Sequence, residues 1–156
     1  MNGKKMKIPH KIHYCWFGYN KKPRLIEKCI ASWKTYLPDW EIIEWNEANY
    51  DIHKNAYISE AYRQKKWAFV VDYARFDILN EQGGVFLDTD VELLRPIPET
   101  FLECEAFTGF ESEKTVNPGL IYASIPGQRM LKEIVSAYEK KEFGSKIGGR
   151  IENIVD

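Results

Sequence analysis

The sequence has few cysteines, and their spacing does not suit a structural role in disulfides or zinc binding. Among 156 residues there are 3, Cys15, Cys29 and Cys104, and no two form a Cys-x-x-Cys pair. An odd and widely spaced set fits neither a disulfide framework nor a zinc ribbon. None has the neighbouring groups that a catalytic nucleophile needs. We therefore expect a protein of the reducing cytoplasm.

Long hydrophobic runs are also missing. The basic amino-terminal stretch is interrupted by His10, Lys11 and His13, so it lacks the apolar core of a signal peptide. No apolar span of about 18 residues follows, and such a span would be needed for a transmembrane helix. The expected location is the cytoplasm, including the inner face of the membrane for a peripherally associated protein.

Neither sign of charge dominates. The 22 Lys and Arg residues balance 23 Asp and Glu residues, which gives a formal net charge of −1. No overall field would attract nucleic acid or anionic lipid. With 44% hydrophobic and 14% aromatic residues, the composition is that of a globular protein. The length fits a single domain over residues 1–156.

Hydrophobic periodicity and turn residues predict alternating strands and helices. The predicted strands cover residues 7–16, 41–45, 85–87, 106–110 and 119–123, and residues 91–94 are predicted to be extended. The predicted helices cover residues 23–37, with Pro23 in the first helical position, and then 56–65, 67–82 and 128–140. This order indicates an α/β domain with a mainly parallel sheet.

A pair of opposite charges, Asp72 and Arg75, lies within the most apolar predicted helix, residues 67–82, which Gly83 and Gly84 end. Asp72 and Arg75 are three positions apart, so they share one helix face, whereas Asp77 points away from both. Such a pair in an apolar helix either forms its own ion pair or binds a polar ligand in a cleft. Spacing alone leaves both interpretations open.

A second acidic pair, Asp88 and Asp90, follows the apolar strand at residues 85–87. Ligands of open α/β sheets bind beyond the carboxyl ends of strands. Two neighbouring carboxylates suit Mg²⁺ or Mn²⁺, which also takes oxygens from a diphosphate. The alternative is a solvated acidic turn, although carboxylates next to a buried strand are costly unless something pairs with them.

Several other residues have less specific patterns. Trp16 follows a strand and precedes a glycine, where an indole either packs in the core or lies against a nucleotide base. The stretch that begins at Asn117 and Pro118 predicts a turn that enters a strand. The histidines His10, His13 and His53 show no metal-ligand spacing, and we expect them to be structural.

The carboxyl-terminal stretch, residues 144–156, contains three glycines and no terminating signal. From this we expect a chain that is truncated within its domain.

Taken in order, the segment Ile12–Gly18, Asp72-x-x-Arg75 and the run from Gly83 to Asp90 resemble a family of glycosyltransferases that contain a DXD motif. Its members include yeast initiating mannosyltransferases and bacterial capsule or lipopolysaccharide hexosyltransferases, with large clostridial toxin glucosyltransferase domains as distant relatives. The resemblance covers residues 8–140. It implies a GT-A type nucleotide-sugar-binding fold and transfer of a hexose to a glycan or lipid-linked glycan acceptor, with retention of anomeric configuration.

The resemblance also implies individual roles for the donor-binding residues. Trp16 would border the nucleotide base, and Phe86 stands where the toxin relatives have a base-stacking tyrosine. Asp72 would bind ribose or sugar hydroxyls, and Arg75 the sugar or the diphosphate. Asp88 and Asp90 would form the metal site for Mn²⁺ or Mg²⁺, with Asp88 also touching the ribose and sugar.

The catalytic residues implied in this way are Arg75 and Asn117, the latter near the anomeric carbon, although Pro118 departs from the toxin pattern. Two other functions compete with the transferase. A haloacid-dehalogenase-like phosphatase also has Asp-x-Asp after a strand, but Glu92 stands where that class has a small hydroxyl residue or valine. A non-catalytic binding module or inactive fragment is the other alternative.

Overall fold

In a computed structural model, which describes residues 5–144, the chain forms a five-stranded sheet with helices on both faces. The strands are β1 (Lys11–Cys15), β2 (Glu41–Trp45), β3 (Gly84–Leu87), β4 (Ala106–Ser112) and β5 (Thr115–Ser124). The helices are α1 (Arg24–Tyr36), α2 (Ala56–Arg63), α3 (Trp67–Gln82) and α4 (Arg129–Glu139), with a 3₁₀ turn at Glu99–Glu103. The expectation of a truncated tail concerns residues 145–156, which lie outside the described part.

The sheet has the order β2-β1-β3-β5-β4. β1 pairs in parallel with both β2 and β3, whereas β5 is antiparallel to both β3 and β4. Four of the five described strands therefore run in one direction, with β5 reversed among them. This confirms the predicted α/β class with a mainly parallel sheet.

Alternation along the strands divides the core between the two faces of the sheet. Ile12 and Val85 face α1 and pack in a cluster with Trp33. Cys15 and Phe86 face the other side, where α2, α3 and α4 cover the sheet. Since Phe86 faces α3, alternation brings Asp88, two residues later, to the α3 side as well.

Helix α3 matches its predicted bounds, and its central segment is buried, with every residue from Tyr73 to Leu79 inside. It ends at two glycines with positive φ, Gly83 at 66° and Gly84 at 117°. A Cβ on Gly83 would lie 2.6 Å from Pro126 Cδ, and one on Gly84 would lie 2.9 Å from the Lys11 carbonyl oxygen. Only glycine fits this turn, which carries the chain directly from α3 into β3.

The structure corrects several boundary predictions. β1 begins at Lys11 rather than at residue 7, and β5 begins at Thr115 rather than at residue 119. Pro23 is the N-cap of α1 rather than its first helical residue. Residues 91–94 form no strand, because their backbone bonds to α1 side chains: Trp33 Nε1 donates to Val91 O, and Leu93 N donates to Ser32 Oγ. Asn117 lies inside β5, next to a shift in the register between β4 and β5. Its side-chain oxygen accepts hydrogen bonds from the backbone N–H groups of Gly119 and Leu120.

Residues 5–144 contain no helix that is both long and apolar enough to cross a membrane.

One histidine ties β1 to its neighbours. His13 is fully buried, its Nδ1 accepts a hydrogen bond from Trp45 Nε1 at 3.1 Å, and its Nε2 donates to the Gly83 carbonyl at 2.8 Å. Both bonds are satisfied only by the neutral ring with its proton on Nε2. Burial lowers the pKa of His13, with a smaller opposing effect from the bond to Gly83, while Lys11 and Glu41 have opposite electrostatic effects.

This arrangement predicts an acid-sensitive contribution to stability. The pKa of His13 in the folded state lies below its ordinary value of 6.5, so acidification protonates the unfolded state first. The contribution is complete above about pH 6.5 and is lost as the pH falls below it. Urea titrations of wild type and His13→Gln between pH 8 and pH 5 measure the free energy of unfolding of each protein. We expect the difference between the two free energies to become smaller as the pH falls. A difference that stays constant over this range would contradict the assignment.

Candidate active site

Two adjoining cavities lie where β1 and β3 end beside the amino-terminal half of α3. One has a volume of about 300 Å³ and the other about 350 Å³. Their walls share Cys15, Ala68, Val71 and Thr89. Both volumes are in the range of small-molecule sites, and their position follows from parallel strands whose carboxyl ends meet at one edge of the sheet.

A buried arginine is the central charged group of the 300 Å³ cavity. Arg75 is 3% exposed, and its Nη2 donates to Asp88 Oδ1 at 2.6 Å. Its Nη1 lies 3.4 Å from Asp72 Oδ1, and the guanidinium carbon lies 5.1 Å from the centroid of the Phe86 ring. Arg75 Nε is buried and has no hydrogen-bond partner among the described residues. The guanidinium thus bridges two carboxylates and retains an unused donor.

The ion pair that helix spacing left open is therefore present, but it is the longer of the two contacts of Arg75. The shorter contact is with Asp88, which lies on the other side of the Gly83–Gly84 turn. Asp77 points elsewhere, as predicted, and accepts from Tyr50 Oη at 2.7 Å and Lys54 Nζ at 2.5 Å.

Burial raises the pKa of both carboxyls that Arg75 contacts. The guanidinium opposes this effect at Asp72, where the charge of Asp88 adds to the increase. At Asp88 the guanidinium also opposes the effect of burial, and Asp90 raises the pKa further. Three carboxylates and one guanidinium line the 300 Å³ cavity. When all are ionised, negative charge exceeds positive charge there, and a bound cation would be stabilised.

The predicted metal ligands occupy one tight turn after β3. Asp88 is half-buried and Asp90 is exposed, and both line the cavity. No group of three or more His, Cys, Asp or Glu side chains suited to a metal occurs within residues 5–144. Two carboxylates fit Mg²⁺ or Mn²⁺, since such ions keep several waters and take other oxygens from a substrate phosphate.

β5 brings a further polar group to this place. A Cβ built on Gly119 would lie 3.0 Å from Asn117 Oδ1, 3.3 Å from Asp88 Oδ2 and 4.0 Å from Arg75 Nη2. The Asn117 side chain therefore lies at the same corner as the Arg75–Asp88 pair, with which the family resemblance had grouped it. Gly119 keeps the corner open, and no sequence pattern marks it, because its role depends on the register between β3 and β5.

Trp16 lines the 350 Å³ cavity together with Asn20, Lys21 and Trp67. Its Nε1 donates to the Asn20 carbonyl at 2.6 Å, and Lys22 Nζ lies 5.9 Å from the ring centroid. The indole is partly exposed at the cavity wall rather than enclosed in the core. Trp67 is a residue that sequence patterns missed, since it looks like an ordinary apolar start of α3.

Phe86 lies under the Arg75 guanidinium and is 1% exposed. Its observed contact is with the guanidinium, and a contact with a base stays a prediction. Cys15 lies at the wall between the two cavities, where burial raises the pKa of its thiol. A buried, protonated thiol is a poor nucleophile, in agreement with the expectation that no cysteine acts as a catalytic nucleophile.

Comparisons with known proteins identify the fold and the family of this chain. The structure is similar to that of PaToxG glycosyltransferase, with a TM-score of 0.66 and 16% sequence identity, over 84% of this chain and 60% of that one. The likeness shows a shared fold of the kind that the sequence resemblance implied.

A curated relative is "Subversion of eukaryotic traffic protein A" of Legionella pneumophila, which is 23% identical over 124 residues. The match covers 62% of this chain and 19% of the relative, so the chain spans about a fifth of that protein. A family described as "Capsular polysaccharide synthesis protein" matches residues 1–127. This match includes β1, α3 and the acidic turn, and on its extent the chain belongs to the capsular polysaccharide synthesis protein family.

Proposed function

We propose that the protein is a metal-dependent retaining glycosyltransferase that moves a hexose from a nucleotide-sugar to a glycan or lipid-linked glycan during capsule or lipopolysaccharide synthesis. One observation carries the proposal: buried Arg75 lies between Asp72 and Asp88 at a cavity that continues towards Trp16. Membership of a capsule synthesis family and the fold shared with a glycosyltransferase support it.

The two cavities suit the two halves of a nucleotide-sugar. In this proposal the nucleoside lies in the 350 Å³ cavity, with the base beside Trp16, and the diphosphate and sugar lie in the 300 Å³ cavity. Arg75 contacts the diphosphate or sugar, because a guanidinium binds phosphate oxygens with directed hydrogen bonds. Asp72 accepts hydrogen bonds from ribose or sugar hydroxyls.

Asp88 and Asp90 are the residues that would hold Mg²⁺ or Mn²⁺, with Asp88 also touching the ribose and sugar. When bound, the ion supplies positive charge that stabilises the diphosphate as it leaves. The excess of negative charge around the cavity supports this assignment, since a divalent ion would offset it. Asp88 Oδ2 is the oxygen that faces Gly119, because Oδ1 is bound to Arg75.

Transfer requires the bond between the anomeric carbon and the diphosphate oxygen to break, with its electron pair going to the diphosphate. The oxygen of an acceptor hydroxyl bonds to the same carbon from the same face, and its proton passes to the departing diphosphate. Arg75 stabilises the developing negative charge, and the amide dipole of Asn117 lies near the sugar. No carboxylate among the described site residues stands out as the nucleophile of a two-step route.

The acceptor and its location follow from the same proposal. A capsular or lipopolysaccharide acceptor built on a lipid carrier would place the protein in the cytoplasm, at the inner face of the membrane. Neither a phosphatase nor an inactive binding module is favoured by a specific contact. A phosphatase would use the first carboxylate of its motif as the nucleophile, whereas Asp88 is held by Arg75 at 2.6 Å.

We predict that Mn²⁺ with UDP or GDP raises the melting temperature and that Asp90→Ala abolishes the increase. Asp90 is exposed, so its removal should leave the fold intact while it removes one metal ligand. Differential scanning fluorimetry measures the shift. Asp39→Ala is the matched control, since Asp39 is also an exposed aspartate but lies at the amino end of β2. A full shift in Asp90→Ala would remove Asp90 from the metal site.

Arg75→Lys should reduce metal-dependent hydrolysis of UDP- or GDP-hexoses on the order of 100-fold, since a lysine keeps the charge but cannot reproduce the planar fork. Hydrolysis is a suitable assay because it needs no acceptor. The control is Arg63→Lys, at an exposed arginine paired with Glu60. If Arg75→Lys lowers the melting temperature but leaves hydrolysis and nucleotide binding unchanged, Arg75 is only a structural ion-pair residue.

If transfer occurs on one face of the sugar without an enzyme-bound intermediate, no hexosyl group becomes covalently attached to the protein during the reaction. Intact-mass spectrometry during turnover of a fluorinated UDP- or GDP-hexose should show no mass increase of one hexosyl group, and the product should keep the donor's anomeric configuration by NMR. A hexosyl adduct on a carboxylate, or an inverted product, would refute this mechanism.

A further inference from the structure

The loop at residues 16–20 has a backbone conformation that its own sequence does not favour. Gly18 and Tyr19 both have positive φ, 92° and 61°, and Tyr19 is a non-glycine residue whose side chain is 83% exposed. Left-handed conformations of such residues persist only where surrounding contacts hold them. Since the Tyr19 side chain faces solvent, the contacts that fix the loop must come from elsewhere.

Glu47, in the segment after β2, supplies one of these contacts. Its Oε1 accepts a hydrogen bond from the Gly18 backbone N–H at 2.5 Å and another from Tyr62 Oη at 3.0 Å. Glu47 is half-buried, and both bonds are made to an ionisable carboxylate, which makes them stronger than neutral ones when it is charged. The carboxylate thus joins the tip of the loop to α2.

Trp67 supports the same glycine from below. A Cβ on Gly18 would lie 2.8 Å from Trp67 Cζ2, so the backbone rests directly on the indole. The Trp67 ring in turn meets the Tyr62 ring edge-on, with centroids 5.1 Å apart. Glu47, Tyr62 and Trp67 therefore form a connected support under Gly18.

The loop contributes directly to the 350 Å³ cavity, whose walls include Trp16, Asn20 and Trp67. Glu47 does not line this cavity. Its effect on a bound molecule would have to pass through the loop. The hydrogen bond from Trp16 Nε1 to the Asn20 carbonyl closes the loop on itself, so a displaced Gly18 also displaces the indole.

We propose that Glu47 is a positioning residue that fixes the 16–20 loop, and with it Trp16, for binding of the nucleoside part of the donor. The proposal rests on the function proposed above. Lys22 pairs with Glu44 and holds the far side of the loop, so loss of Glu47 loosens the loop without unfolding it. The expected effect is weaker binding rather than loss of catalysis.

The test compares Glu47→Ala with Glu47→Gln, because glutamine keeps an oxygen that can accept both hydrogen bonds. Calorimetric titration with UDP and GDP in the presence of Mn²⁺ should give a Kd about five- to tenfold higher for Glu47→Ala, and within about twofold of wild type for Glu47→Gln. With a hydrolysed donor, KM should rise for Glu47→Ala while kcat stays nearly unchanged. Glu133→Ala, at an exposed glutamate paired with Arg129 on α4, is the control.

A second measurement needs no nucleotide. Hydrogen exchange of the Gly18 amide, followed by NMR in the ligand-free protein, should be faster in Glu47→Ala than in wild type and should be restored in Glu47→Gln. Unchanged exchange and unchanged Kd in Glu47→Ala would overturn the proposal, as would equal weakening in both variants. If wild type binds neither nucleotide, the proposed function fails, and the Gly18 exchange rate alone decides whether Glu47 orders the loop.

Discussion

The guanidinium of Arg75, almost fully buried, imposes the main constraint on this structure. An unpaired charge at that depth would be very costly, so the fold must bring carboxylates to it. Asp72 comes from the same helix, and Asp88 comes from the end of β3, at 2.6 Å. Phe86 lies against the guanidinium and completes its surroundings. The position of the acidic turn relative to α3 is therefore fixed by this interaction as well as by apolar packing.

The two glycines after α3 make that interaction attainable. Gly83 and Gly84 turn the chain within two residues, so that α3 and β3 lie side by side and Arg75 can face Asp88. Their close approach to Pro126 and to the Lys11 carbonyl leaves no room for a side chain. His13 bonds to the carbonyl of Gly83 and so ties the same turn to β1. One short segment thus connects the central strand, the buried helix and the charged cluster.

How far the sequence predicts the molecule depends on whether a feature is local. The bounds of α3 and the shared face of Asp72 and Arg75 follow from helical periodicity, and both agree with the structure. The shorter bond from Arg75 to Asp88 spans a turn, so spacing could not rank it above the intrahelical pair. Asn117 was expected in a turn because Pro118 and Gly119 follow it. Instead, pairing with β4 and β3 draws this stretch into β5, and only that tertiary register brings the amide to the cluster.

The same cluster also has an electrostatic consequence for ligand binding. Burial raises the pKa of Asp72 and Asp88, and Arg75 offsets this increase only in part. Additional positive charge would therefore stabilise the ionised form of both carboxylates. Asp90, exposed at the cavity edge, adds negative charge without adding a burial cost. A divalent cation would relieve the repulsion among these groups, while a diphosphate alone would increase it. This charge balance supports the proposal that a cation and a diphosphate bind together at this site.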